Sequence, residues 1–369
     1  MTKPRVPVRA AVRALPAYVP GARPGSDGAE KLSSNENPFP PLDGVLAAVA
    51  GAARQMNRYP DMFATELVSA LAERHGIVPG SVVTGGGSVA VLGHVLQAFC
   101  DAGDEVVHAW RSFEAYPIAV RLQGAVAVPV ALDPAGRHDL SAMRAAVGPR
   151  TRVVLVCSPN NPTGPAVGRA ELEEFLSDVP DDVLVVLDEA YAEFVRDARA
   201  VDGIALLAEH PNLVVLRTFS KAYGLAGLRV GYAVAHPDLA DAVRTASTPF
   251  GVSHPAQVAA LASLASEEAL FERVDTVVAE RERLLAGVRE QGWRVPDTES
   301  NFVWLPTDRA TVLAADAAEA GVLLRPFAGE GIRVTVGDRA ANDRVLGLTA
   351  RWARESPANA PGAGDHPTP

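Results

Sequence analysis

The sequence predicts an α/β protein: a mostly parallel central sheet with helices on both faces, followed by a smaller α+β C-terminal domain. Three observations carry that prediction. Short Val-rich runs recur up to residue 235 without polar alternation, as expected of strands covered on both faces. Stretches with helical spacing separate most of them, and strand–helix alternation is the pattern of a parallel sheet. After Thr248 the chain turns to a long helical pattern that feeds a few short apolar runs.

In order, residues 1–40 are rich in Pro and Gly and read as an extended N-terminal arm. A large domain is expected over 41–248. Its strands are "SVVT" (81–84), "DEVVHAW" (104–110), "AVAVPV" (125–130), "RVVLVCS" (152–158), "DVLVVLD" (182–188), "NLVVLRT" (212–218) and "RVGYAVA" (229–235). Helices are expected between them, for example over 88–100 and 168–179. A small domain is expected over 249–354. It opens with an almost uninterrupted helical pattern over 256–292, with room for one bend, and continues through "NFVWLP" (301–306), "GVLLRPF" (321–327) and "GIRVTVG" (331–337). The Pro/Gly/Ala-rich tail 355–369 reads as disordered.

Composition excludes several classes. A hydrophobic fraction of 48% with 21% charged residues describes a soluble globular protein. The net charge of -10 argues against nucleic acid or an anionic membrane as a partner. Cys100 and Cys157 lie in apolar stretches with no ligand-like spacing, so neither a disulfide framework nor a metal site is implied. No run reaches membrane-spanning length and no signal-like apolar segment opens the chain, so the cytoplasm is the expected compartment.

Lysine occurs only at Lys3, Lys31 and Lys221, against a Lys+Arg total of 34. Arginine does not deprotonate in a protein, whereas a neutral primary amine can attack a carbonyl. Lys221, after the strand "NLVVLRT" with Thr218 and Ser220, is thus a candidate nucleophile or a lysine that drift has not replaced. Other polar residues also stand at strand ends, where open parallel sheets bind ligands. Asp188 and Tyr191 follow "DVLVVLD", and Asn161 lies in the proline-stiffened "SPNNPTG". "TGGGSVA" leads from a strand into a helix start at Ser88, where backbone N–H groups can cradle a phosphate. Each has a plainer reading as a tight turn or a helix cap. Together they suit one ligand, with an aldehyde for Lys221, a phosphate for the Gly-Ser turn and a cationic ring nitrogen for Asp188. Pyridoxal 5'-phosphate has all three groups.

From about Tyr18 to Gly337 the chain resembles the fold-type I pyridoxal-phosphate-dependent aminotransferases, specifically the histidinol-phosphate and aromatic amino acid subgroup. "YVPG", "NENP", "RYPD", "SPNNPTG", "LDEAY", "TFSKAYGLAGLRVGY" and "IRVTVG" occur in that family's order and spacing. The resemblance implies that Lys221 links the cofactor covalently and later carries the proton. Arg229, Thr218, Ser220, Ser88 and the backbone of Gly87 and Val89 would hold the phosphate. Asp188 would pair with the ring nitrogen, Tyr191 and Asn161 with the 3'-oxygen, and Phe113 would stack on the ring. Tyr59 would reach the phosphate of a partner subunit, which implies a homodimer. Arg333, helped by Arg325, would bind the substrate carboxylate, with Tyr18 and Phe39 lining an apolar entrance.

The phosphate turn departs from the family's common pattern, since Val89 offers no side-chain oxygen. The Ser88-Val89 form is closer to the branch that transaminates phenylalanine and other aromatic amino acids. "RSFEAY" also lacks the Pro-Thr common before the stacking aromatic. The expected reaction moves an amino group from an aromatic L-amino acid to a 2-oxoacid such as 2-oxoglutarate. Histidinol phosphate is the alternative donor, and a same-fold decarboxylase a more distant one. A transcription regulator of this fold would need an added DNA-binding domain, for which residues 1–40 are too short and too Pro-rich.

Overall fold

A computed structural model of the protein describes residues 6–15 and 28–355. Its strands, in chain order, are β1 (Glu30–Lys31), β2 (Val82–Gly85), β3 (Glu105–Trp110), β4 (Val126–Ala131), β5 (Thr151–Cys157), β6 (Leu184–Asp188), β7 (Leu213–Thr218), β8 (Gly231–Ala235), β9 (Phe302–Pro306), β10 (Val322–Leu323), β11 (Arg325–Phe327) and β12 (Gly331–Thr335). The chain divides into two units. One includes Phe39–Val274 and Thr298–Ser300, the other Asp275–Asp297 together with residues 28–38 and 301–355.

The first unit is built on a 7-stranded sheet of order β2-β8-β7-β6-β5-β3-β4. Strands β3 to β7 pair in parallel, and β8 runs against both of its neighbours. Two reversals restore direction, so β2 points the same way as β7. The carboxyl ends of β2, β3, β5, β6 and β7 therefore share one rim with the start of β8.

Alternate residues of each strand feed opposite faces, as the pleat requires. Val106, Val153, Leu155, Val186, Val214 and Leu216 enter one core cluster, with side chains of the helices Ser88–Phe99, Ala115–Gln123 and Pro237–Thr245. Val107, Val154, Val156, Val185, Leu187 and Val215 enter the other, with the helices Leu140–Ala145 and Arg169–Asp178. Burying each such side chain contributes about 1.5–3 kcal/mol relative to leaving it exposed. The sheet is thus covered by helices on both faces.

The strand "AVAVPV" differs from expectation. As β4 it is only partly buried, because it forms the sheet's margin beyond β3. Pro129, which has no N–H for a further partner, suits that position. The arm is also not wholly extended. Ala10–Ala14, an Ala-rich segment of high helix propensity, is a short helix, and Glu30–Lys31 is strand β1. The tail from residue 356 lies outside the described residues.

The long helical pattern after residue 256 is two helices, His254–Leu264 and Glu267–Glu290. The first unit runs on to Val274, within the second of these helices. The reason is that His254–Leu264 packs on the helices Asp43–Ala52 and Thr65–His75 of the first unit. In the second unit β11, β12 and β9 form an antiparallel sheet in that order. The run "GVLLRPF" is split, since β10 leaves that sheet and pairs in parallel with β1.

Candidate active site

The polar residues at the strand ends of the first unit lie along the carboxyl rim. Neighbouring strands β5, β6 and β7 bring Asn161, Asp188 with Tyr191, and Thr218 with Ser220 and Lys221 side by side. The rim is laced by backbone bonds. Ser158 N–H donates to the Asp188 carbonyl at 3.0 Å, and Glu189 N–H to the Leu216 carbonyl at 2.9 Å. Lys221 is partly buried, its Nζ 5.9 Å from the centroid of the Tyr191 ring. Phe113 follows β3 onto the same rim.

Next to this group is a cradle for an anion. Gly87 caps the helix Ser88–Phe99 with φ 92°, a backbone conformation that L side chains rarely adopt. A Cβ there would collide with the Arg229 guanidinium, whose Cζ is 3.1 Å from that point. A Cβ on Gly231 would come within 2.5 Å of the Ser88 nitrogen, so glycine is what lets β8 pass under the turn. Arg229 itself sits in the left-handed region (φ 55°), unusual for a non-glycine residue. Its Nη1 donates to Ser220 Oγ at 3.3 Å and to the Ala226 carbonyl at 3.0 Å. Helix N–H groups, a hydroxyl and a guanidinium thus converge around one turn, a donor set suited to phosphate.

Asp188 ends β6 and is 6% exposed. Its Oδ2 accepts a hydrogen bond from Tyr116 O–H at 2.8 Å, while Oδ1 is buried with no partner. Burial pushes the carboxyl up to about 6, against the Tyr116 hydrogen bond, the Ala190 N–H and the positive charge of Lys221. A buried carboxylate oxygen without a donor is costly, and a cationic N–H would satisfy it. Tyr116 was not singled out from the sequence. Its signal is the F-x-x-Y spacing of "RSFEAY", which sets its ring edge-on to Phe113 with centroids 5.5 Å apart.

The loop carrying Asn161 is fixed by its neighbour. Asn160 Oδ1 accepts from Ser112 Oγ at 2.7 Å, and Asn160 Nδ2 donates to Thr163 Oγ1 at 2.7 Å and to the Arg111 carbonyl at 3.1 Å. Beneath Asp188 and Thr218 is a charged network that sequence reading also missed. Arg217 of β7 is 9% exposed and pairs with Glu189 Oε2 at 2.7 Å, Asp202 Oδ1 at 3.1 Å and Glu193 Oε1 at 4.0 Å. An arginine inside an apolar run, with Glu in "LDEAYAEF", is the pattern that could have revealed it.

Tyr59 is 82% exposed and stacks on Phe250 with centroids 4.7 Å apart. Phe39 is partly buried under Arg273, 5.7 Å from the ring centroid. In the second unit Arg325 and Arg333 are register partners across β11 and β12, each 8% exposed. Arg333 donates to the Ser33 carbonyl at 2.9 Å and lies over Phe302 and Phe327. Val89, in the first turn of its helix, is 39% exposed. Tyr18 lies outside the described residues.

The family model of class I and II aminotransferases matches residues 28–347. An aromatic amino acid aminotransferase of Streptomyces avermitilis is 55% identical, over 96% of this chain and 99% of its own length. One from Thermobifida fusca is 52% identical over 95% and 98%. Among solved structures, a histidinol-phosphate aminotransferase of Sinorhizobium meliloti in complex with pyridoxal-5'-phosphate superposes with a TM-score of 0.86. It is 28% identical and covers 94% of this chain and 98% of its own. With a family match across most of the chain and full-length relatives above half identity, the protein belongs to the class I and II aminotransferases.

Proposed function

We propose that the protein is a pyridoxal 5'-phosphate-dependent aminotransferase that moves the amino group of an aromatic L-amino acid to a 2-oxoacid, foremost 2-oxoglutarate, by a ping-pong exchange. The observation that carries this reading is the buried, unpartnered Oδ1 of Asp188 on the same rim as Lys221 and the Gly87–Arg229 cradle. The donor class rests on relatives 49–55% identical that are named aromatic amino acid aminotransferases. Histidinol phosphate, in the name of the structural neighbour at 28% identity, is less favoured.

The residues present fit the cofactor. When bound, pyridoxal 5'-phosphate supplies an aldehyde for an amine and a cationic ring that draws electrons from the substrate's α-carbon. Arg229, Ser220, Thr218, Ser88 and the N–H groups at Gly87 and Val89 hold its phosphate. Asp188 Oδ1 accepts the ring N–H and keeps the proton there. Asn161 and Tyr191 orient the 3'-oxygen, and Phe113 covers the ring face. Lys221 Nζ would act as the base that takes the donor's α-proton and would carry it for the exchange. Arg333, with Arg325, binds the α-carboxylate through a forked guanidinium contact. Comparing kcat/KM for phenylalanine, tyrosine and histidinol phosphate tests the donor class. Phenylalanine or tyrosine is expected to lead, and a clear win for histidinol phosphate would install that donor instead.

The active form is assigned as a homodimer in the cytoplasm. Tyr59 is exposed beside Phe250, and Met56, Met62 and Phe63, close to it in sequence, are exposed as well. Its hydroxyl is assigned to the phosphate of the partner's cofactor. Tyr59→Phe is expected to weaken cofactor retention by roughly 1.5–3 kcal/mol, the worth of a hydrogen bond to a charged group. Light scattering over a dilution series, read beside cofactor absorbance, checks this. A fully active monomer that retains its cofactor would refute it.

A further inference from the structure

We propose that Tyr116 is the positioning residue of Asp188, holding Oδ2 so that Oδ1 alone is presented to the cofactor's ring nitrogen. A free carboxylate can rotate and offer either oxygen. Here the Tyr116 O–H bond of 2.8 Å fixes the plane, and the orphaned oxygen is the other one. The phenol is itself immobile. It is 1% exposed on the helix Ala115–Gln123, with Phe113 edge-on at 5.5 Å and His108 of β3 at 6.3 Å between ring centroids.

Its chemistry suits a permanent donor. Burial, reinforced by the charge of Asp188, raises the phenol well above its ordinary value, so it keeps its proton at any working pH. The neighbours do not compete for the role. Cys157 of β5, the register partner of Asp188, is pushed up to about 12 by burial and stays a neutral thiol. His108 is lowered by burial and adds no charge at neutral pH. Lys221, after β7, is the cation that faces the carboxylate. Removing the phenol would leave Asp188 readier to take up a proton, and a neutral acid is a weaker partner for a cationic ring.

This rests on the assignment of Asp188 to the ring nitrogen, and the experiment separates the two. Full-length protein is stripped of cofactor, and pyridoxal 5'-phosphate is titrated back from pH 6 to 8.5. Wild type, Tyr116→Phe, Asp188→Ala and the double variant are compared. Tyr116→Phe is expected to loosen the cofactor about tenfold, as a lost charged hydrogen bond would. It should also move the acid limb of the affinity profile to higher pH. In the Asp188→Ala background the same change should cost nothing further, since the residue it positions is gone. The double variant lacks the unpaired oxygen and so reports even if Tyr116→Phe folds poorly. An equal loss in both backgrounds, or an unmoved acid limb, would overturn the positioning role. An Asp188→Ala variant that binds the cofactor as tightly as wild type would overturn the assignment of Asp188 instead.

Discussion

Lys221→Ala is expected to abolish transamination and to replace the near-visible band of the lysine-linked cofactor with that of the unlinked aldehyde. The position needs an amine that can lose its proton, attack a carbonyl and then act as a base. A chain that meets nearly all its need for positive charge with arginine keeps a lysine here. Lys221→Arg therefore makes a stricter comparison than alanine, because it keeps the charge and forfeits the chemistry. Both variants should fall by at least about 10⁴ in kcat/KM, the upper range for loss of a general base. Lys31→Ala is the control. Its ammonium pairs with Glu36 at 2.8 Å, and its removal should leave absorbance and rate unchanged. Appreciable activity in Lys221→Ala would mean that another group carries the proton, and the assignment of the rim would fall with it.

Much of the large sheet was legible because strands buried on both faces must be continuously apolar. All of the Val-rich runs before residue 236 are strands of one sheet. What could not be read was each strand's place in the order. "AVAVPV" has the composition of a central strand, and only the crossover after β4 puts it at the margin. Local signals likewise announced the strand-end residues, because an Asp, a glycine turn and a Pro-bounded loop each interrupt an apolar run. Tyr116 was hidden because its partner Asp188 is 72 positions away and nothing local joins them. Arg217 was hidden for a related reason. A single charge in an apolar strand makes sense only beside Glu189 and Glu193, which come from the segment after β6.

Arg217→Met should show how much the rim depends on that hidden charge. The guanidinium holds Glu189 through two nitrogens, at 2.7 Å and 2.8 Å, and Glu189 Oε1 accepts the Gly203 N–H at 2.9 Å. Methionine fills similar space but leaves two buried carboxylates unpaired. Removing one partner of a buried pair typically costs about 3–5 kcal/mol, a large share of a protein's net stability. Urea unfolding of the cofactor-loaded protein at pH 7.5 should reveal that loss. Its pH dependence has a definite sign. Burial already raises the carboxyls of Glu189 and Glu193 above their ordinary value, and the charge of Arg217 opposes the rise. Without Arg217 they rise further, so the folded variant binds more protons than the unfolded chain between the ordinary and the raised values. Stability is therefore regained as pH falls through that window, and the deficit against wild type should narrow at pH 5.5. Arg217→Met with Glu189→Gln should recover part of the loss at neutral pH, because one of the two stranded charges is gone. Glu189 follows Asp188 directly and Arg217 precedes Thr218, so Arg217→Met should also release cofactor more readily. A variant as stable as wild type, or one whose deficit widens in acid, would show that the network does not hold the rim.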